Sequence, residues 1–267
     1  MNWMTHDLQV NGLRLRTYRA GKGPALLLAH GMTDNAMYWG QTAEDLAQDY
    51  AVYAYDVRGH GKSDRAATGY DVQTLASDMA GVIAALAIED PLLLGHSMGA
   101  ATVAQFAATH PGIARRIVLE DPPFGALYNK TLMRVVATQW RAALIAQRHM
   151  PRRALIDLRR AESPRWDAEQ LALWADTKYE ASPDTVGFVN AAHGSWQETV
   201  AHITCPTLLL TGDTDLGAIV TPATTQQLLA LCPHAQHVHI TAAGHTIRFD
   251  QYPAFIAAVA GFLAGGM

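Results

Sequence analysis

The stretch Pro91-Leu92-Leu93-Leu94-Gly95-His96-Ser97-Met98-Gly99-Ala100-Ala101 decides the reading of this chain. An apolar run of strand length meets G-x-S-x-G and leads at once into an alanine-rich segment of helical composition. Turning from strand to helix within a couple of residues strains the backbone of the central residue. Only small neighbours permit that, which is why Gly95 and Gly99 bracket Ser97. The same turn lifts the serine hydroxyl above the C-terminal edge of a sheet. It also aims the Met98 backbone N–H and the positive end of a helix dipole at the space beside that hydroxyl.

Outward from this turn the chain keeps the same grammar. Short continuous apolar runs at Ala25–Ala29, Ala51–Ala54, Pro91–Leu94, Ile117–Leu119 and Thr207–Leu210 read as parallel strands buried on both faces. Between them lie helical stretches at Met37–Gln48, Val72–Leu86, Met98–Thr109, Pro222–Leu231 and Pro253–Leu263, several opening on proline. An antiparallel hairpin precedes them, turned by Asn11-Gly12 between the alternating apolar residues Leu8, Val10, Leu13 and Leu15. The expected fold class is therefore α/β, a mostly parallel sheet flanked by helices with an N-terminal hairpin. The alternation breaks once. From Phe124 to Val200 no strand is evident, and Trp140, Trp166, Trp174 and Trp196 fall among helix-like segments punctuated by Pro151, Pro164 and Pro183. A core of residues 1–123 and 201–267 with a helical cap at 124–200 is the expected division.

The bulk numbers agree with one large α/β unit. The 267 residues are 49% hydrophobic and 16% charged, with a net charge of −4, so a sizeable core is available and a basic surface for nucleic acid or anionic lipid is not. The opening residues carry neither a basic nor an apolar leader pattern, and no apolar run suits a bilayer span. A cytoplasmic location is the expectation, with no nucleic-acid or membrane partner. The two cysteines, Cys205 and Cys232, read as structural thiols of a reducing compartment.

From about residue 7 to 123 and again from 203 to 263 the chain resembles the α/β-hydrolase fold family. The residues that carry the likeness are His30-Gly31-Met32, Asp56-Val57-Arg58-Gly59-His60-Gly61-Lys62-Ser63-Asp64, the Ser97 turn and Ala243-Gly244-His245. The likeness implies a catalytic triad with Ser97 as nucleophile and His245 as base, and an oxyanion hole built from the Met32 and Met98 amides. Among twelve histidines, His245 is preferred because it follows the last strand-like run, Val238–Thr241, just before the final helix. His96 is expected to pack or line the pocket and His60 to be structural. His237 and His239, with His234 nearby, read as a solvated strand edge rather than a metal site.

The acid is open. The family's usual position after the Thr207 strand falls on Asp215, with Asp213 beside it. The stretch from Asp215 to Pro222 is longer than usual, however, and some relatives take the acid from the preceding strand, here Glu120 and then Asp121. Asp215 is the first expectation, Glu120 and Asp213 the alternatives, and Asp121 the last. The resemblance implies no cofactor and no metal. It suggests a small, largely apolar ester or lactone substrate contacting Gly31, His96, Trp140 and Trp174, under a roof that includes Leu127, Met133, Met150 and Phe188. Eight arginines between Arg134 and Arg165 leave an anionic substrate open, although interleaved acids explain them as a solvated face. Carboxylic ester hydrolysis is thus the expected activity. A C–C bond hydrolase, a cofactor-free haloperoxidase or perhydrolase, and a non-catalytic ligand-binding receptor are the alternatives.

Overall fold

Asn11 and Gly12 take positive φ, 50° and 78°, and close the first hairpin, in which β1 (Met4–Val10) pairs antiparallel with β2 (Leu13–Ala20). Leu8 stands opposite Leu15 and Val10 opposite Leu13, so the alternation seen in the sequence sets the register. In this computed structural model, which describes residues 2–125 and 130–265, the hairpin continues into an eight-stranded sheet. The order is β1-β2-β4-β3-β5-β6-β7-β8, with β3 (Ala25–Ala29), β4 (Ala51–Tyr55), β5 (Leu92–His96), β6 (Arg116–Glu120), β7 (Thr207–Thr211) and β8 (Ala235–His239). Strands β4, β3, β5, β6, β7 and β8 run parallel; β2 runs against them, pairing antiparallel with both β1 and β4. The last strand begins and ends earlier than the expected Val238–Thr241. Its Gln236, His237 and His239 can be polar because β8 has a neighbour on one side only.

The continuous apolar runs are two interleaved sets. Leu27, Leu93, Ile117, Leu119 and Leu209 face one layer, packed with Leu75, Met79, Val103 and Phe106 of α2 (Val72–Ala85) and α3 (Met98–Thr109). Leu26, Leu28, Leu94, Val118, Leu208 and Leu210 face the other. There they meet Ala43 and Leu46 of α1 (Gly40–Leu46) and Phe255, Val259 and Phe262 near the C-terminus. A strand whose every residue is buried has no polar phase, which is the physical reason these segments lack alternation.

Helices α4 (Lys130–Arg148), α5 (Arg152–Glu162), α6 (Ala168–Glu180), α7 (Gly187–Asn190) and α8 (Trp196–Ala201) lie between β6 and β7. Trp166, Leu171 and Trp174 pack with Leu155 onto Tyr38 and Phe249, and Met150 joins them. Trp196 instead stacks on Phe124, centroids 5.4 Å apart. Met150 and Trp166 of the expected roof are thus core for these helices, while Met133, Trp140, Trp174 and Phe188 also border a cavity; Leu127 lies outside the described residues. The chain closes with α9 (Pro222–Leu231), α10 (Ile247–Asp250) and α11 (Tyr252–Leu263). Among the described residues no helix is long and apolar enough to cross a membrane.

Candidate active site

Ser97 sits between β5 and α3 with φ 52° and ψ −117°, a conformation that costs a non-glycine residue about 1–3 kcal/mol. Its surroundings enforce it. A Cβ on Gly95 would strike the backbone of Gly99, and one on Gly99 would strike the carbonyl of Ala29. The Ser97 amide donates to the Glu120 carbonyl at 2.9 Å, continuing the β5–β6 ladder into the turn. Met98 is the first residue of α3, so its amide has no acceptor within the helix and is free to point at a developing negative charge.

His245 lies in the loop between β8 and α10, and it shares with Ser97 the lining of a cavity of about 670 Å³. Three contacts fix that loop. The His245 carbonyl accepts from Nε2 of His96 at 3.0 Å, and the two rings lie 4.7 Å apart. The amide of Gly244 donates to Asp250 at 2.7 Å. Nδ1 of His245 meets Oδ2 of Asp121 at 2.7 Å.

The carboxylate behind His245 is therefore Asp121, not Asp215. Asp121 follows β6 with φ 43° and is fully buried. Its two oxygens also accept the amides of Ile219 and Val220 at 2.8 and 2.9 Å. The long stretch between Asp215 and Pro222 supplies amides that hold the acid instead of supplying the acid itself. Asp215 is exposed in a single 3-10 turn, Thr214–Leu216. Asp213 is turned outward too, accepting from Ala242 N–H at 2.7 Å and pairing with Nε2 of His239 at 2.9 Å. Glu120, one residue before Asp121 and so facing the opposite layer, accepts the Arg248 amide at 3.0 Å and its Nη1 at 2.7 Å beneath the sheet.

The loop carrying Met32 is stapled by two buried histidines. His30 donates from Nδ1 to the Gly31 carbonyl at 2.8 Å and accepts the Val57 amide on Nε2 at 3.0 Å. His60 donates to the Arg58 carbonyl at 2.9 Å and accepts the Thr33 amide at 3.2 Å. Each ring thus uses one nitrogen as donor and one as acceptor, the neutral form. Burial lowers both pKa values, that of His60 to about 3 with help from the neighbouring His30. A Cβ on Gly31 would press on Asp34 Oδ2 at 2.7 Å and His96 Nδ1 at 2.8 Å, so Gly31 backs the site rather than offering a surface.

Of the other expected contact residues, His96, Trp140 and Trp174 all border the cavity, Trp140 while half exposed. Met32, Val136, Leu144, Phe188 and Ile219 make much of the remaining wall apolar. Two polar elements have no motif to announce them. Asp34 is buried near His96, and Lys178 reaches in from α6 to bond Thr33 Oγ1 at 2.9 Å. Burial pushes the Lys178 pKa down to about 8, against the pull of Asp34.

The family model described as alpha/beta hydrolase fold matches residues 24–252. This chain belongs to the α/β-hydrolase fold family. Among its relatives is N-formylmaleamate deformylase of Pseudomonas putida, 32% identical over 96% of this chain and 95% of that protein. A 2-(acetamidomethylene)succinate hydrolase of Mesorhizobium japonicum is 33% identical over 45% of this chain and 43% of its own length. Among solved structures, an E-2-(acetamidomethylene)succinate hydrolase superposes with a TM-score of 0.86 at 23% identity, covering 98% of this chain and all of the other. An enol-lactonase from Burkholderia xenovorans LB400 gives 0.76 at 23% identity, covering 97% of this chain and all of the other. Both structures share the family's fold.

Proposed function

We propose that this chain hydrolyses a small carboxylic acid derivative through an acyl-enzyme on Ser97, with His245 as proton carrier and Asp121 as the acid behind it. One observation carries the reading: Nδ1 of His245 is held at 2.7 Å by a buried carboxylate, while the same imidazole shares a cavity with the strained serine. A carboxylate on Nδ1 fixes the tautomer that leaves the Nε2 lone pair free. That nitrogen takes the Ser97 proton as the hydroxyl attacks the carbonyl, and the Met32 and Met98 amides receive the charge on its oxygen. The imidazolium, stabilised by Asp121, then protonates the leaving group. Water repeats the sequence on the acyl-enzyme and releases the acid.

The sequence points to an ester or lactone as the bond cleaved. Full-length similarity to a deformylase acting on N-formylmaleamate adds an N-acyl amide, in which a carboxamide leaves instead of an alcohol, protonated on nitrogen by His245, and the acyl transfer is the same. Helices α4 to α8, the cap at 124–200, then roof the acyl site over the core of 1–123 and 201–267. Fluorophosphonate labelling tests the chemistry directly. The wild type takes up the probe and Ser97→Ala does not, and a panel of p-nitrophenyl esters, lactones and N-formyl amides ranks the bonds. Absence of a Ser97-dependent adduct overturns the reading.

A further inference from the structure

We propose that Lys178 and Arg159 form a carboxylate-binding subsite within the Ser97 cavity, so that the substrate carries an acidic group apart from the bond that is cut. The inference rests on the hydrolase reading for its catalytic meaning, but its geometry stands separately.

Lys178 is 4% exposed. A buried ammonium is costly unless its donors are met, and its recorded acceptors both belong to Thr33, Oγ1 at 2.9 Å and the carbonyl at 3.3 Å. Of three N–H donors, one is left for the cavity. Arg159 of α5 lies over Trp166 at 4.2 Å and Trp174 at 5.3 Å, and Lys178 Nζ lies 4.9 Å from the same Trp174 ring. Two cations thus flank one indole, and all three groups border the cavity. Arg159 gives Nη1 to Glu162 at 3.1 Å, while its Nε is buried without a partner among the described residues.

Several other arginines of this region are turned to outer acids, Arg141 to Asp184, Arg152 to Asp176 and Arg153 to Asp157; Arg159 meets Glu162 as well but also borders the cavity. Apart from histidine, the charged side chains on the cavity wall are Asp34, Arg159 and Lys178, one more cation than anion on the wall itself, while the Glu162 that meets Arg159 is 55% exposed and does not line the cavity. A monoanion balances that excess, whereas a phosphate monoester, at about −1.5 to −2, overfills it. The guanidinium fork and the remaining ammonium donor are also the donor types that carboxylate oxygens prefer.

The test compares p-nitrophenyl monoesters of glutaric, adipic, pimelic and suberic acids with p-nitrophenyl esters of the monoacids of equal length. The wild type is expected to favour at least one acid monoester in kcat/KM. Lys178→Met and Arg159→Met are expected to lower that preference by about tenfold to a hundredfold, chiefly through KM, and Lys178→Arg to retain most of it. Taking the ratio cancels any general loss from disturbed packing. Ser97-dependent cleavage of the neutral esters without such a preference, or a preference that survives both methionine variants, overturns the subsite and leaves the hydrolase reading intact. If no ester is cleaved, calorimetric titration with monomethyl adipate, a monoanion, decides the subsite alone: binding to the wild type that Lys178→Met abolishes supports it, and no binding to the wild type overturns it.

Discussion

Asp121 and His245 are separated by 124 residues and meet at 2.7 Å through Oδ2 and Nδ1. The carboxylate is anchored on its far side by the Ile219 and Val220 amides, so it is a fixed acceptor around which the imidazole is oriented. Asp121→Asn presents an amide in place of that acceptor and favours the wrong histidine tautomer. Turnover is expected to fall on the order of a thousandfold to ten-thousandfold, with Asp215→Asn and Asp213→Asn within about threefold of the wild type. Steady-state kinetics on one activated ester suffices, and a large loss in Asp215→Asn with little in Asp121→Asn would reverse the assignment.

Glu120 and Arg248 are both fully buried, and the guanidinium is enclosed by the rings of Trp39, Tyr38 and Phe249 at 4.5 to 5.1 Å. Glu120→Gln removes the only negative charge bonded to that cation among the described residues and leaves it uncompensated in a dry layer. A loss of about 3–5 kcal/mol is expected in urea unfolding. Because the pair anchors the segment three residues beyond His245, activity should fall less steeply than stability; a change below about 1 kcal/mol would show that the pair is not structural.

Why the sequence yields the sheet and Ser97 but not the acid is a matter of periodicity and reach. Strands β3 to β7 are buried on nearly every residue, so each reads as a short, largely apolar run, and Gly95 and Gly99 mark a turn that no larger residue could make. The histidine is legible because Gly244-His245 follows the last strand. The acid depends on a loop. Asp121, Asp213 and Asp215 all follow strands that end at the same rim, and only the path from Gly217 to Val220 decides which one points at the imidazole. That path is set by hydrogen bonds to Asp121 across 98 and 99 positions of sequence, which no local pattern encodes. The unusual length of the Asp215–Pro222 stretch was the one available signal. Lys178 and Asp34 are harder still, since a lysine on an amphipathic helix is ordinarily solvent-facing.

His30 and His60 are buried and neutral, with pKa values lowered by burial, that of His60 to about 3. An unfolded histidine takes up a proton near pH 6.5, so below that pH the unfolded chain binds more protons than the folded one and stability falls. The contribution is complete above about pH 7 and, for His60, declines by up to about 1.4 kcal/mol per pH unit until its folded value is reached. Denaturation midpoints measured from pH 7.5 to 4.5 should drop on acidification, with a shallower slope in His60→Gln. Equal slopes in the two proteins would mean that His60 does not titrate on unfolding.

Lys178 makes a prediction on the alkaline side, where its effect is read in substrate binding. Its burial lowers the ammonium pKa to about 8, Asp34 resists that shift and Arg159 assists it. Among the groups facing it, Thr33 and Trp174 carry no charge, Arg159 brings a guanidinium, and Asp34 is held below the usual carboxylate range because His96 and the charge of Lys178 outweigh its own burial. Raising the pH from 7 to 9 therefore removes one positive charge from the wall. KM for an acid monoester should rise by up to about tenfold for each unit above 8, while KM for the neutral ester of equal length stays nearly flat. Unfolding does not mimic this effect. The unfolded lysine keeps its proton up to about 10.4, so between 8 and 10 the unfolded chain binds more protons and this group makes the fold more stable as pH rises. A parallel rise in KM for both esters would assign the alkaline limb to some other group.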